Sequence, residues 1–185
     1  MNKKKYNLAH LIFLALCCDM GIFVKKLISP VTNFITELLH IPGGIGTNFS
    51  IMFILIAAAV CAYKMSATLM SLVQSLIAIA IGTVGSMGML APIGYVIPGI
   101  VIDIVLFLSK KTGVLQAEMM VIANGLAGVA AALCTNIIIF RLSGPVLFLY
   151  LSVAMMSGVI CGIIAYQVVK ILNHRIFFHD EKQKV

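Results

Sequence analysis

Apolar runs closed by charges, prolines or glycines recur along the whole chain, and six of them are long enough to suggest membrane spans: residues 7–24, 48–63, 66–88, 91–109, 114–140 and 146–171. A hydrocarbon layer about 30 Å thick takes about 20 helical residues to cross. Within it the backbone is satisfied only in helices or in closed barrels. These runs are too long, and alternate too poorly, for barrel strands, so the pattern predicts an all-α integral membrane protein built as a six-transmembrane-helix bundle. Between spans one and two, Leu27, Ile28, Val31, Phe34, Ile35 and Leu38 recur at helical spacing, with Thr32, Asn33, Thr36, Glu37 and His40 on the other side. Ser29 suits an N-cap, Pro30 a first helical turn and Pro42-Gly43-Gly44 a stop. This predicts a separate amphipathic helix in the outer loop, either a plain connector or a movable lid hinged at Gly43, Gly44 and Gly46.

Composition agrees with a membrane setting. Hydrophobic residues are 62% of the 185 positions, charged residues only 10%, and the mean hydropathy is +1.13, more than one water-soluble core of this size needs. No hydrophilic stretch is long enough to fold separately, so residues 1–185 read as a single transmembrane domain whose residues 172–185 form a basic tail.

Charge adds orientation. With the N-terminus inside, ten Lys and Arg fall on that side (Lys3, Lys4, Lys5, Lys64, Lys110, Lys111, Lys170, Arg175, Lys182 and Lys184), against Lys25, Lys26 and Arg141 outside. That bias predicts both termini in the cytoplasm, and attraction to anionic lipid accounts for the net charge of +7. The charges are divided among short loops rather than gathered on one face, which argues against a nucleic-acid partner. The opening "MNKKKYNLAHLIFLALCCDMG" is signal-peptide-like, but no small-x-small cleavage site follows, and it is expected to be kept as the first span.

Candidate chemistry is sparse. All five cysteines fall in predicted spans without metal-ligand spacing and read as packing residues. Nucleophile-elbow, HExxH and Walker patterns are missing, so neither an enzyme nor a bound cofactor or metal is expected. Small residues crowd the later spans: Gly158 and Gly162 form a GxxxG, and Ala123, Ala127 and Ala131 repeat every four residues. Such spacing lets helix backbones approach closely, here for internal packing. Ala57 to Ala59 with Ala62, and Ser71 with Ser75, offer a second smooth surface that could face a partner.

Polar residues inside the spans carry the functional signal. Asp103, Asn124 and Gln74 share a depth about 10 Å from the cytoplasmic edge, and a carboxylate there should face the bundle interior with donors, for which Asn124 and Gln74 are nearest by depth. Asp103 is read either as part of a helix-to-helix clamp or as a ligand contact. A second set lies nearer the outside: Asp19, Asn48, Ser50, Tyr95, Thr135, Asn136, Tyr150 and Ser152. Pro92, Gly94, Pro98 and Gly99 should kink or unwind span four between the two layers and free carbonyls for a cavity.

The connector leading to "IPGGIGTNFSIMFILIAAAV", the third span "SATLMSLVQSLIAIAIG" and above all "GYVIPGIVIDIVLFL" before a small-residue fifth span give the chain a family likeness. It resembles the substrate-binding S components of energy-coupling factor (ECF) type ABC importers, the vitamin and vitamin-precursor group. The resemblance implies a multi-pass protein of a prokaryotic cytoplasmic (inner) membrane that binds a small solute and has no ATPase activity. It also implies partners: a transmembrane T component and two ATPase subunits. In that family the pocket lies toward the outer face, which favours Tyr95, Asn136 and Tyr150 as substrate contacts, with Asp103, Asn124 and Gln74 as floor or support.

One departure is plain. Where many members carry alanine-x-x-x-alanine in span one, Ala15 is here followed four residues later by Asp19. Asp103 and Asp19 would suit a cationic or amine-bearing cargo such as thiamine or its hydroxymethylpyrimidine precursor, whereas Lys25, Lys26 and Arg141 would draw anions; the acids, being deeper, tilt the expectation to the former. A membrane scaffold, or a small homo-oligomeric ion or proton-coupled carrier, is the alternative.

Overall fold

The computed structural model describes residues 8–38, 45–61, 65–82, 91–112, 116–139, 141 and 144–182. They form six α-helices: α1 (Leu8–Leu38), α2 (Ile45–Cys61), α3 (Ser66–Ala80), α4 (Ala91–Thr112), α5 (Gln116–Cys134), which runs on into a π-helical turn at Thr135–Ile139, and α6 (Pro145–Lys182). Windows of α4 (Pro92–Ser109), of α5 with its π turn (Ala117–Ile138) and of α6 (Pro145–Leu172) are long and apolar enough to cross a membrane. α2 and α3 are apolar but shorter, at 17 and 15 residues.

α2 is the centre. It packs on all five other helices, which follow one another around it in the order α1, α3, α4, α5, α6. Its sequence explains the position. Residues 54–58 (Ile54, Leu55, Ile56, Ala57 and Ala58) are all buried, so this part of the helix is apolar on every side and is covered by protein all round.

Many large apolar side chains of the surrounding helices point outward: Leu69, Leu76, Phe107, Met156 and Ile160 are each more than half exposed. Small residues face inward instead. A methyl placed on Gly162 would stand 2.7 Å from the Cα of Val121, and one on Gly158 2.9 Å from the Cα of Gly125, so the GxxxG is where α6 meets α5 backbone to backbone. Ala123, Ala127 and Ala131 are buried as well. In lipid, dispersion from such close approach replaces the missing hydrophobic drive. Of the smooth surface expected to suit a partner, Ala57, Ala58, Ser71 and Ser75 are buried within the bundle, Ala59 is half-buried and Ala62 lies outside the described residues.

The separate outer-loop helix is not formed, because residues 25–38 continue α1 as one helix of 31 residues with Pro30 inside it. No glycine stands between Ile22 and Leu38 to stop the helix. Pro30 removes only the N–H owed to Lys26, and the Thr32 hydroxyl donates to the carbonyls of Ile28 and Ser29, each at 3.1 Å. One exposed apolar stripe, from Leu16 through Phe23, Leu27, Val31 and Phe34 to Leu38, runs unbroken past the two lysines. Pro42, Gly43 and Gly44 lie outside the described residues, as does the stretch 83–88 expected to end the third span; Gly46 is helical and buried in α2. α6 stays helical into the expected tail, to Lys182.

Candidate functional site

A cavity of about 240 Å³ lies among the helices, and every one of the six contributes to its wall. α1 brings Lys25, α2 Asn48 and Ser50, α3 Gln74, α4 Tyr95 and α6 Tyr150. Of the eight polar residues placed toward the outer side by sequence, six line this one cavity: Asn48, Ser50, Tyr95, Thr135, Asn136 and Tyr150. Asp19 is exposed and Ser152 half-buried, and neither lines it.

Two irregular helix segments shape the wall. The backbone break expected in α4 lies instead at the end of α5, where Thr135 and Asn136 sit in the π turn. A π turn widens the helix and leaves a carbonyl without its usual donor. Here the Asn136 amide donates to the Ala132 carbonyl at 2.8 Å, and Ala132, Thr135 and Asn136 are all lining residues. α4 stays helical through Pro98, whose buried ring owes no N–H to Gly94; both residues face the cavity.

Asn48 and Gln74 are held with their amide nitrogens turned away. Asn48 Nδ2 donates to the Ala154 carbonyl at 2.9 Å and to the Ser157 hydroxyl, which itself donates to Val153. Gln74 Nε2 donates to the Cys18 carbonyl at 3.2 Å. These bonds assign the amide orientations, and they leave Asn48 Oδ1 and Gln74 Oε1 with no partner, as is the Ser50 hydroxyl, although the three residues are 1%, 0% and 2% exposed. A buried polar atom left unpaired costs about 1–3 kcal/mol. Three of these groups belong to residues of one cavity wall, and a fourth, Asn124 Oδ1, lies away from it.

Lys25 is the lone charged residue in the wall among the described residues. Its ammonium donates to the Tyr95 hydroxyl at 2.9 Å and stands 4.6 Å from the centre of the same ring, so α4 fixes the charge by phenol and π face together.

The six residues favoured as substrate contacts therefore divide. Gln74, Tyr95, Asn136 and Tyr150 meet at the cavity; Asp103 and Asn124 do not. Asn124 is fully buried and donates to the Gly158 carbonyl at 2.8 Å, tying α5 to α6. Asp103 accepts from the N–H groups of Ala67 and Thr68 at 3.2 and 2.8 Å and from the Thr68 hydroxyl at 2.6 Å. It caps α3 from α4. Met65, at the local cap position, has a left-handed backbone and offers no side-chain bond, so the first turn takes its acceptor from a neighbouring helix. The expected bonding of Asp103 with Asn124 or Gln74 is thus replaced by three separate links to the backbone of other helices. Equal depth did not imply contact.

Lys25 was not among the favoured contacts, because sequence placed it in a loop. The signal available was its spacing on a helix that has no stop signal after Val24.

Among the described residues no group of His, Cys, Asp and Glu is placed to hold a metal ion. The fold and site define a class: an all-helical membrane protein with a cavity of mixed polar and apolar lining among its helices. Comparison of the chain with family models, curated proteins and solved structures finds no match.

Proposed function

We propose that this chain is the substrate-binding subunit of an ECF-type importer. It sits in a prokaryotic cytoplasmic membrane with six spans and both termini in the cytoplasm, captures a small vitamin-like solute, and passes it inward with a T component and two ATPase subunits. One observation carries the reading: the cavity's wall contains three buried polar groups without protein partners. A scaffold would have no use for such groups, since an apolar filling costs less. At about 240 Å³ the space is below the roughly 300–1,000 Å³ of drug-sized pockets, which favours a compact cargo.

The test uses the full chain in lipid nanodiscs. Saturable retention of a small solute is expected, without ion conductance or net uptake when the chain alone is placed in liposomes; uptake or conductance by the chain alone would indicate a self-sufficient carrier. Ala132→Phe puts a ring into the empty space from a half-buried position. It is expected to abolish retention while leaving thermal unfolding within a degree or two, and undiminished retention would separate binding from this cavity.

A further inference from the structure

The charge and hydrogen-bonding character of the wall narrow the cargo further, and this step rests on the reading of the cavity as a cargo site. We infer that the cargo carries an anionic group, paired with Lys25, together with at least one N–H or O–H donor that satisfies Asn48 and Gln74.

The anion follows from what surrounds the lysine. An ammonium has three donors, and the Tyr95 hydroxyl takes one. The ring beneath it offers a quadrupole but no counter-charge. Among the described residues no carboxylate shares the wall: Asp19 is exposed elsewhere on α1, and Asp103 is committed to the first turn of α3. A half-buried cation with two open donors and no paired acid attracts a carboxylate or phosphate and repels a permanent cation. The ground for a cationic cargo therefore falls away, because both acids that suggested it lie outside the cavity.

The donor follows from the amides. Their nitrogens are held by Ala154, Ser157 and Cys18, so only the oxygens are unpaired; each is covered by its neighbours, and a small shift of its side chain would present it to the cargo. An oxygen accepts. Ser50, able to give or take, adjusts to either. Tyr95 and Tyr150 from α4 and α6 give the same space aromatic walls, which suits a small flat ring bearing both groups.

The experiment is equilibrium dialysis of the full chain in nanodiscs against an equimolar panel of small ring solutes. The rings are pyridine, pyrimidine and imidazole, each as the carboxylate, the primary amide and the aminomethyl form, and retained solute is read by mass spectrometry. Carboxylates are expected to be retained over amides and amines. Lys25→Gln should weaken that retention about ten- to hundredfold, the worth of one hydrogen bond to a charged group, whereas Lys25→Arg keeps the preference and Lys26→Gln, altering the exposed neighbour, leaves it unchanged. An unchanged unfolding temperature of Lys25→Gln excludes misfolding as the cause.

Amides or amines retained as well as carboxylates, and equally by Lys25→Gln, would overturn the anion assignment while leaving the cargo site standing. No solute retained by the unaltered chain, either from the panel or from a whole-cell metabolite extract, would overturn the cargo reading and this inference with it.

Discussion

Asp103→Ala is expected to destabilise the bundle by about 3 kcal/mol and to leave solute affinity unchanged. The carboxylate accepts three hydrogen bonds from the start of α3, two from backbone N–H groups that have no other cap. Bonds to a charged acceptor contribute about 1.5–3 kcal/mol, and a lost helix cap alone costs about 0.5–2 kcal/mol. Removal orphans the donors together rather than one at a time. The helix also loses a negative charge placed against the positive end of its dipole. Asp103→Asn keeps one acceptor oxygen and should cost about half as much, since a neutral amide accepts more weakly. Unfolding in bicelles gives the stabilities, and dialysis of the same preparations gives the affinities. A loss of affinity at full stability would return this residue to the cargo site.

The second large effect is expected at the meeting of α5 and α6. Gly162→Val places its first side-chain carbon 2.7 Å from the Cα of Val121 and 3.2 Å from the carbonyl of Met120. Both are backbone atoms, which cannot rotate aside, so the helices must separate. Overpacking of this kind costs about 1–3 kcal/mol or more. Separation also stretches the Asn124 bond to Gly158, which crosses the same seam, and moves the wall that carries Ala154. Stability and retention should therefore fall together. Gly125→Ala is the contrasting case, because a methyl there meets only a side-chain carbon of Val159 at 3.7 Å, ordinary contact, and no loss of stability is expected. Equal losses at the two positions would remove the argument that close backbone approach holds these helices.

The membrane class of the protein was legible because it depends on runs of apolar residues, and from α2 onward the helices begin close to where those runs begin. Convergence of Asn48, Ser50, Tyr95, Thr135, Asn136 and Tyr150 was legible too, since depth along a span is simply a count of residues from its end. Rotation about the helix axis was not. Asp103 and Gln74 share a level, but one turns toward the start of α3 and the other toward Cys18 on α1, a distinction set by packing. The continuation of α1 past Lys25 was missed because Ser29-Pro30 imitates a start signal. A proline in mid-helix removes only one donor, and the Thr32 hydroxyl reaches the carbonyls nearby. The π turn had no sequence signal at all, for Thr135–Ile139 reads as plain apolar helix with two polar residues at its head.

The order in which the chain leaves the ribosome gives the central position of α2 a consequence for biogenesis. This helix is synthesised second but is enclosed last, since the Asn48 amide finds its acceptors at Ala154 and Ser157, 106 and 109 residues later. Until α6 has packed against it, that amide must find temporary partners elsewhere, and the nascent bundle is held open at its middle. Chains halted before α6 are therefore the form that membrane quality control should meet as unfinished, however completely their first five helices have formed.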